Sequence, residues 1–345
     1  MRIFSYRNKR ALRRALWIAA AVVLALAALI VYRVIYLERY VTYTPEGAKL
    51  DYEQKLTRTD IDPQPVDPAE FPFETILDNT PADGESDTTS LRQLSGVYIT
   101  SAMMARDLNA VLDAVDALDS ETTAVMIDAK SIFGFYYYST ELAGAETADT
   151  DIAAVDRLIE KLTAKDGLTV IARVPAFCDP EYALKHQEDA LPLFTGALWT
   201  DDNNCYWLNP YKNAVQGYLV SIAIELSQRG FDEVLFDGFY VPASDRIKWS
   251  TEITREDAVL DAALNISDSL YGYDIGVSFG SDSPAVAKYA TRMYVTTDDP
   301  SAVMDLVDSM DGTLADTSAQ LVFLTASRDT RFEQCSVLRP LLDSQ

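Results

Sequence analysis

From Ser95 onward, short runs of apolar and β-branched residues alternate with longer stretches whose apolar positions recur every three or four residues. The first pattern is that of buried strands, the second that of helices packed on a sheet. Strands are predicted at Gly96–Ser101, Ala124–Ala129, Leu168–Val174, Glu233–Asp237, Asp274–Phe279, Arg292–Thr296 and Gln320–Thr325. Helices are predicted between them at Ala105–Leu118, Asp151–Lys165, Pro210–Arg229, Glu256–Tyr271, Ser283–Tyr289 and Ser301–Met310, with a last one around Phe332–Leu342. Within the second of these, Ile152, Val155, Leu158, Ile159 and Leu162 form one apolar stripe. Seven such units fit an α/β fold of the (β/α)8 or TIM-barrel type better than an open doubly wound sheet, because no glycine-rich turn follows the first strand. An eighth strand is not evident, so the pattern leaves the barrel's closure open.

The chain ahead of this region is patterned differently. Ala15–Tyr32 is uncharged and almost wholly apolar, long enough as a helix to cross a bilayer, and Val34–Tyr36 extend it past Arg33. Arg2, Arg7, Lys9, Arg10, Arg13 and Arg14 precede it with no acid among them, which predicts a cytoplasmic N-terminus. The run exceeds a typical signal-peptide core and ends in Arg33, Glu38 and Arg39 instead of small residues, which favours an uncleaved anchor. The expected organisation is a basic cytoplasmic tail at 1–14, a transmembrane anchor at 15–37, an acidic proline-rich linker at 38–94 and a barrel at 95–345. The lipid bilayer is then a partner through 15–37, and the barrel is extracellular on a single-pass cell-membrane protein. Pro45, Pro63, Pro65, Pro68, Pro72 and Pro81 crowd the linker, and Phe71–Leu77 is its one apolar piece that could dock on the barrel.

Composition narrows the chemistry. The 345 residues include 53 acidic and 29 basic ones, a formal charge of -24, and eight of the basic residues lie before Val41. A nucleic-acid binder needs clustered cations, so that partner is excluded. His186 is the only histidine and sits in a charged stretch, which removes histidine-based zinc sites and leaves it without an assigned role. No phosphate cradle follows Ile99, and no metal or cofactor motif is present. Cys178, Cys205 and Cys335 are an odd set; Cys178 and Cys205 fall in one excursion and could pair.

In a barrel of this kind, chemistry belongs at the C-terminal ends of the strands. That position selects Asp128 and Lys130, Arg173 and Asp179, Asp237, Asp282, and Asp298 with Asp299. Asp179 before Pro180 reads better as a helix cap than as a catalytic group, and so do Asp298 and Asp299 before Pro300. Asp237 is followed by Gly238 and Phe239 instead of a helix start. The same loops carry Phe133, Tyr136, Tyr137, Tyr138, Trp199, Trp207, Tyr211, Tyr240 and Trp249. Aromatic faces beside carboxylates suit sugar rings and their hydroxyls.

The segment Gly230–Pro242, reading GFDEVLFDGFYVP, resembles the fourth-strand motif of a bacterial glycoside-hydrolase family of the DUF4015 type. Gly96–Ser101, Met126–Lys130 with Gly134, Ile171–Pro180, Trp199 and Trp207–Tyr211 match in the same order, out to about Gly280. The resemblance implies a TIM barrel acting on cell-wall or extracellular polysaccharide, with no cofactor. The chain departs from the pattern at Tyr240, where the family usually has Arg, and near Val277, where it commonly has an acid. Hydrolysis needs two carboxyl groups. Asp237 is the expected nucleophile or base, kept ionised by Lys130 or Arg173. Asp128 is the better-supported acid over Glu233 and Asp282, Glu233 being placed at the far end of its strand. Lys130, Arg173, Tyr136, Trp207, Tyr211 and Tyr240 are the expected sugar contacts. The rival reading is a carbohydrate-binding or scaffolding module without the second carboxylate. A Mg²⁺ or Ca²⁺ phosphoesterase has less support, because no spaced ligand motif appears.

Overall fold

A computed structural model of the chain describes residues 41–44, 47–50, 91–249 and 252–342. The chain divides into two units, Met1–Asp83 and Gly84–Gln345. In the first, Val41–Thr44 and Gly47–Leu50 pair as antiparallel strands. The segments 1–14 and 15–37, and Phe71–Leu77 of the linker, lie outside the described residues. Among the described residues no helix is long and apolar enough to cross a membrane.

The second unit is a closed, all-parallel barrel of eight strands. They are β1 Ser95–Ile99, β2 Ala124–Asp128, β3 Thr169–Pro175, β4 Glu233–Asp237, β5 Gly276–Gly280, β6 Met293–Thr296, β7 Leu321–Leu324 and β8 Ser336–Pro340. All seven predicted strands are present. The barrel is complete, however, and its last strand occupies the segment expected to be a helix around Phe332–Leu342. That segment is a 3₁₀ turn, Thr330–Gln334, followed by β8, which pairs with β7 on one side and β1 on the other. Its apolar run is too short for periodicity to separate strand from helix; closure of the barrel decides it.

Helices form the outer layer. Asp107 divides the first predicted helix: it ends α1 (Ser101–Arg106) in an extended conformation, and its carboxylate caps α2 (Leu108–Asp116) through the Ala110 N–H. Asp151 caps α3 (Ile152–Thr163) in the same way, and the α3 stripe Val155, Leu158, Ile159 and Leu162 is buried. The remaining helices are α4 Pro180–Lys185, α5 Asn213–Gln228, α6 Arg255–Ser269, α7 Pro284–Ala287, α8 Ala302–Met310 and α9 Thr317–Gln320.

Strand alternation sorts the side chains into two cores. Val125, Ile127, Val170, Ala172, Val174, Val234, Phe236, Val277 and Phe279 join the large cluster that includes the buried helix residues. Ala124, Met126, Ile171, Leu235, Tyr294, Val322, Leu324 and Leu338 form a separate cluster inside the barrel. On β2, β3 and β4 the residues that share this inward parity at the C-terminal end are Asp128, Arg173 and Asp237.

The inward residue at the start of β4 is Glu233, and it closes the opposite mouth. Glu233 pairs with the buried Arg292 and accepts hydrogen bonds from Ser278 Oγ at 2.6 Å and Tyr294 OH at 2.7 Å. Arg292 Nε also donates to the Ala319 carbonyl at 3.1 Å. Glu233 is thus fully engaged at the N-terminal end of the barrel and is no candidate acid. Replacing Arg292 by Leu strands a buried carboxylate and is expected to cost about 3–5 kcal/mol in urea unfolding. A double Arg292→Leu, Glu233→Leu replacement should recover most of that loss; equal losses in the single and double variants would show that the pair does not anchor this mouth.

Candidate active site

Asp128 and Arg173 are register partners on adjacent strands, and Asp237 lies one strand further on, opposite Pro175. Arg173 links the two acids. Its Nε donates to Asp128 Oδ1 at 2.5 Å, and its Nη1 lies 3.8 Å from Asp237 Oδ2. Those two contacts and two guanidinium C–N bonds cap the separation of the nearest carboxylate oxygens at about 9 Å. That limit admits the spacing of either an inverting or a retaining glycosidase.

The two carboxylates sit in unlike surroundings. Asp128 is 8% exposed, and its second oxygen accepts the Ser101 N–H at 2.6 Å, where α1 begins above the end of β1. Asp237 is 39% exposed and accepts the N–H of Gly238 at 2.9 Å. Desolvation in the barrel mouth raises the Asp237 carboxyl above its ordinary value; Arg173 and the Gly238 N–H pull it back without cancelling the rise, and Asp128 adds to it. Arg173 does not keep Asp237 at a low value, so the group is suited to carrying a proton. Gly280, at the end of β5, makes room for it: a Cβ there would lie 2.5 Å from Asp237 Oδ1.

Beside Asp237 is a cleft of about 330 Å³ lined by Ile132, Pro175, Cys178, Asp201, Trp207 and Tyr240, among others. The Trp207 and Tyr240 rings are 5.3 Å apart and inclined at 49°, and Tyr240 is 51% exposed. Asp201 fixes the wall by accepting Trp207 Nε1–H at 3.0 Å. Tyr240 also lines a second cleft, of about 240 Å³, together with Asp282, Glu256 and Asp257.

Three expected sugar contacts are placed elsewhere. Lys130 is not beside Asp237; its side chain is 1% exposed and its Nζ bonds Asp179 Oδ2 at 2.6 Å. Asp179 accepts Tyr218 OH at 2.8 Å on that same oxygen, while its other oxygen caps α4 through the Tyr182 N–H, so the expected cap is present. Tyr136 is buried in the same network, its hydroxyl 2.8 Å from that of Tyr218. Tyr211 is exposed but lines a cleft with Lys212, Asn213, Asp261 and Asn265, away from Asp237. Asp298 accepts hydrogen bonds from Thr325 Oγ1 and the Ala326 N–H, and Asp299 from Ser301. Tyr98, which sequence reasoning passed over, is half-buried with its ring centre 5.9 Å from the Arg173 guanidinium carbon. Its inward parity on β1 was the available signal.

The family model described as "Putative glycosyl hydrolase domain", DUF4015, matches residues 96–284. A solved hypothetical protein from Ruminiclostridium thermocellum is 24% identical, over 53% of this chain and 96% of that one, with a TM-score of 0.45. The α-galactosidase TtGalA from Thermus thermophilus is 15% identical over 63% of this chain and 47% of its own, TM-score 0.44. An α-galactosidase from Lactobacillus brevis is 8% identical over 73% of this chain and 38% of its own, TM-score 0.48. The chain thus spans less than half the length of either galactosidase. No curated protein matches it.

The raised Asp237 carboxyl has a consequence for stability. Where both folded and unfolded chains hold the proton, the raised value costs nothing; the cost is complete once the pH exceeds the folded-state value. Asp237→Asn is therefore expected to raise the unfolding midpoint at about pH 7, with the gain fading toward about pH 3. Midpoints measured across this range check it, and a gain independent of pH would show that the carboxyl is not raised.

Proposed function

Since the chain belongs to the DUF4015 glycosyl hydrolase domain family, we propose that it is a glycoside hydrolase, using Asp237 and Asp128 as its paired carboxylates on a cell-wall or extracellular polysaccharide. The observation that carries this reading is the single guanidinium of Arg173 between two carboxylates, one of them raised and open to an aromatic-walled cleft. Asp237, whose carboxyl desolvation raises above its ordinary value, donates the proton to the departing glycosidic oxygen. Asp128, held by Arg173 and the Ser101 N–H, acts opposite it as base or nucleophile. Tyr240, the exposed ring of the pair, stacks on a sugar ring, with the buried Trp207 packed behind it.

The same proposal places the barrel outside the cell. The uncharged run at 15–32 behind a purely basic tail supports a membrane anchor, and the acidic remainder of the chain would be repelled by anionic headgroups and held off the surface.

One observation favours the rival reading of a carbohydrate-binding module: both oxygens of Asp128 are already engaged. Asp237→Asn separates the two. An enzyme is expected to lose turnover by roughly 10²–10⁴-fold while still binding glycan. Tyr240→Ala should weaken binding about two- to tenfold on either reading. A parent protein that binds glycans but cleaves none across a broad panel would establish the module instead.

A further inference from the structure

Cys178 and Cys205 line or adjoin the wall of the Asp237 cleft, and the proposed catalysis makes no use of their thiols. Cys178 follows the end of β3, and its backbone bridges Trp207 in the antiparallel sense. Cys205 belongs to the hairpin in which Thr200 bridges Tyr206. Cys205 lies two positions before Trp207, so its side chain falls on the same face, diagonal to Cys178. Both are buried free thiols, and their sulfurs lie within 4.8 Å of one another and of an Asp201 carboxylate oxygen. Such a triangle could hold a soft metal ion or close as a disulfide, and Asp201 decides between them. Its oxygens already accept the N–H groups of Asn203 and Cys205 and the Trp207 indole N–H, so the carboxylate is spent on shaping the loop. The thiols face each other and otherwise make long contacts to carbonyls, Cys178 with Ile132 at 3.5 Å and Cys205 with Asn203 at 3.9 Å.

We propose that Cys178 and Cys205 form a structural disulfide that fastens the hairpin bearing Trp207 to the end of β3. The inference rests on the outward placement of the barrel, because an oxidising compartment is where such a bond persists. One S–S bond forms as two S–H bonds break; two electrons and two protons pass to a disulfide oxidant, either a thiol–disulfide oxidoreductase or glutathione disulfide. The sulfurs must close to about 2.05 Å, which for a diagonal pair takes a small shift of the hairpin as well as rotation of the two side chains. Burial pushes the Cys178 thiol up and makes it a poor nucleophile once folded, so the bond is laid down as the chain folds and is not a reversible switch. Its effect on function is to hold the Trp207 face beside Asp237.

The test is to denature the full chain from its producing cells in alkylating reagent without reductant and to read the digest by mass spectrometry. The expected result is a Cys178–Cys205 crosslinked peptide with Cys335 alkylated. Alkylation of all three cysteines, a bond involving Cys335, or one zinc per chain held by the two thiols would overturn the proposal. An impermeant protease applied to intact cells reports separately where the barrel lies. A chain refolded in detergent with glutathione and its disulfide should form the same bond and unfold roughly 10 °C above its reduced form. If it does so while the barrel proves protected inside the cell, the pairing stands and the outward placement falls. Three free thiols after refolding would overturn the pairing wherever the barrel lies.

Discussion

The row of side chains that points into the barrel is the constraint on which the whole structure depends. Water is excluded there, so a charge is tolerated only at the two mouths and only with a partner. β4 shows the rule in three alternate residues. Glu233 meets Arg292 at the N-terminal mouth, Leu235 joins the apolar layer, and Asp237 meets Arg173 at the C-terminal mouth. The two mouths differ in completeness. At the first, two hydroxyls join the buried ion pair and complete its hydrogen bonding, although a cleft of about 530 Å³ lies alongside. At the second, one guanidinium is divided between two carboxylates, the Asp237 contact is long, and an open cleft adjoins it. The incompletely satisfied end is the one to which the proposed chemistry is assigned.

The strands were legible because each buried run is bounded by turn residues, and position at the strands' C-terminal ends was enough to nominate Asp128, Arg173 and Asp237, though it nominated Lys130 beside them. What could not be read depended on where a strand stops. Lys130 would point inward if β2 ran two residues further. Instead β2 ends at Asp128, Lys130 bridges Tyr136 across a turn at Gly134, and the ammonium swings out to Asp179 beneath the helices. Gly134 is required in that turn: its φ is +94°, and a Cβ would lie 2.6 Å from the Asp179 carboxylate. The same turn carries Tyr136 away from the mouth, so an alternation argument made for a barrel strand did not apply to it. The eighth strand was illegible for another reason. Ser336–Pro340 has little local signal, and it is held as a strand by neighbours far away in sequence, including Leu94, whose N–H donates to Ser336 Oγ at 2.9 Å.

Arginine beside an acid lowers that acid's proton affinity, and at Asp237 this lowering does not offset the rise caused by desolvation. A cation lowers a carboxyl's proton affinity in proportion to proximity, whereas desolvation raises it in proportion to the water lost. Asp128 has Arg173 at 2.5 Å and a backbone N–H at 2.6 Å, both aimed at its oxygens. Asp237 has the same guanidinium at 3.8 Å, a single N–H from the next residue, and a second acid nearby. For Asp237 the desolvation is the larger effect. The rise at Asp237 comes first from the water it has lost, and the off-centre arginine opposes it only in part. On the proposed reading the carboxyl that faces the cleft is the proton donor, and Asp128, held against the barrel wall, is its partner. Moving the guanidinium toward Asp237 would oppose the rise of that carboxyl. The position of Arg173 on β3, in register with Asp128 and one strand away from Asp237, is therefore the feature on which a catalytic use of this mouth depends.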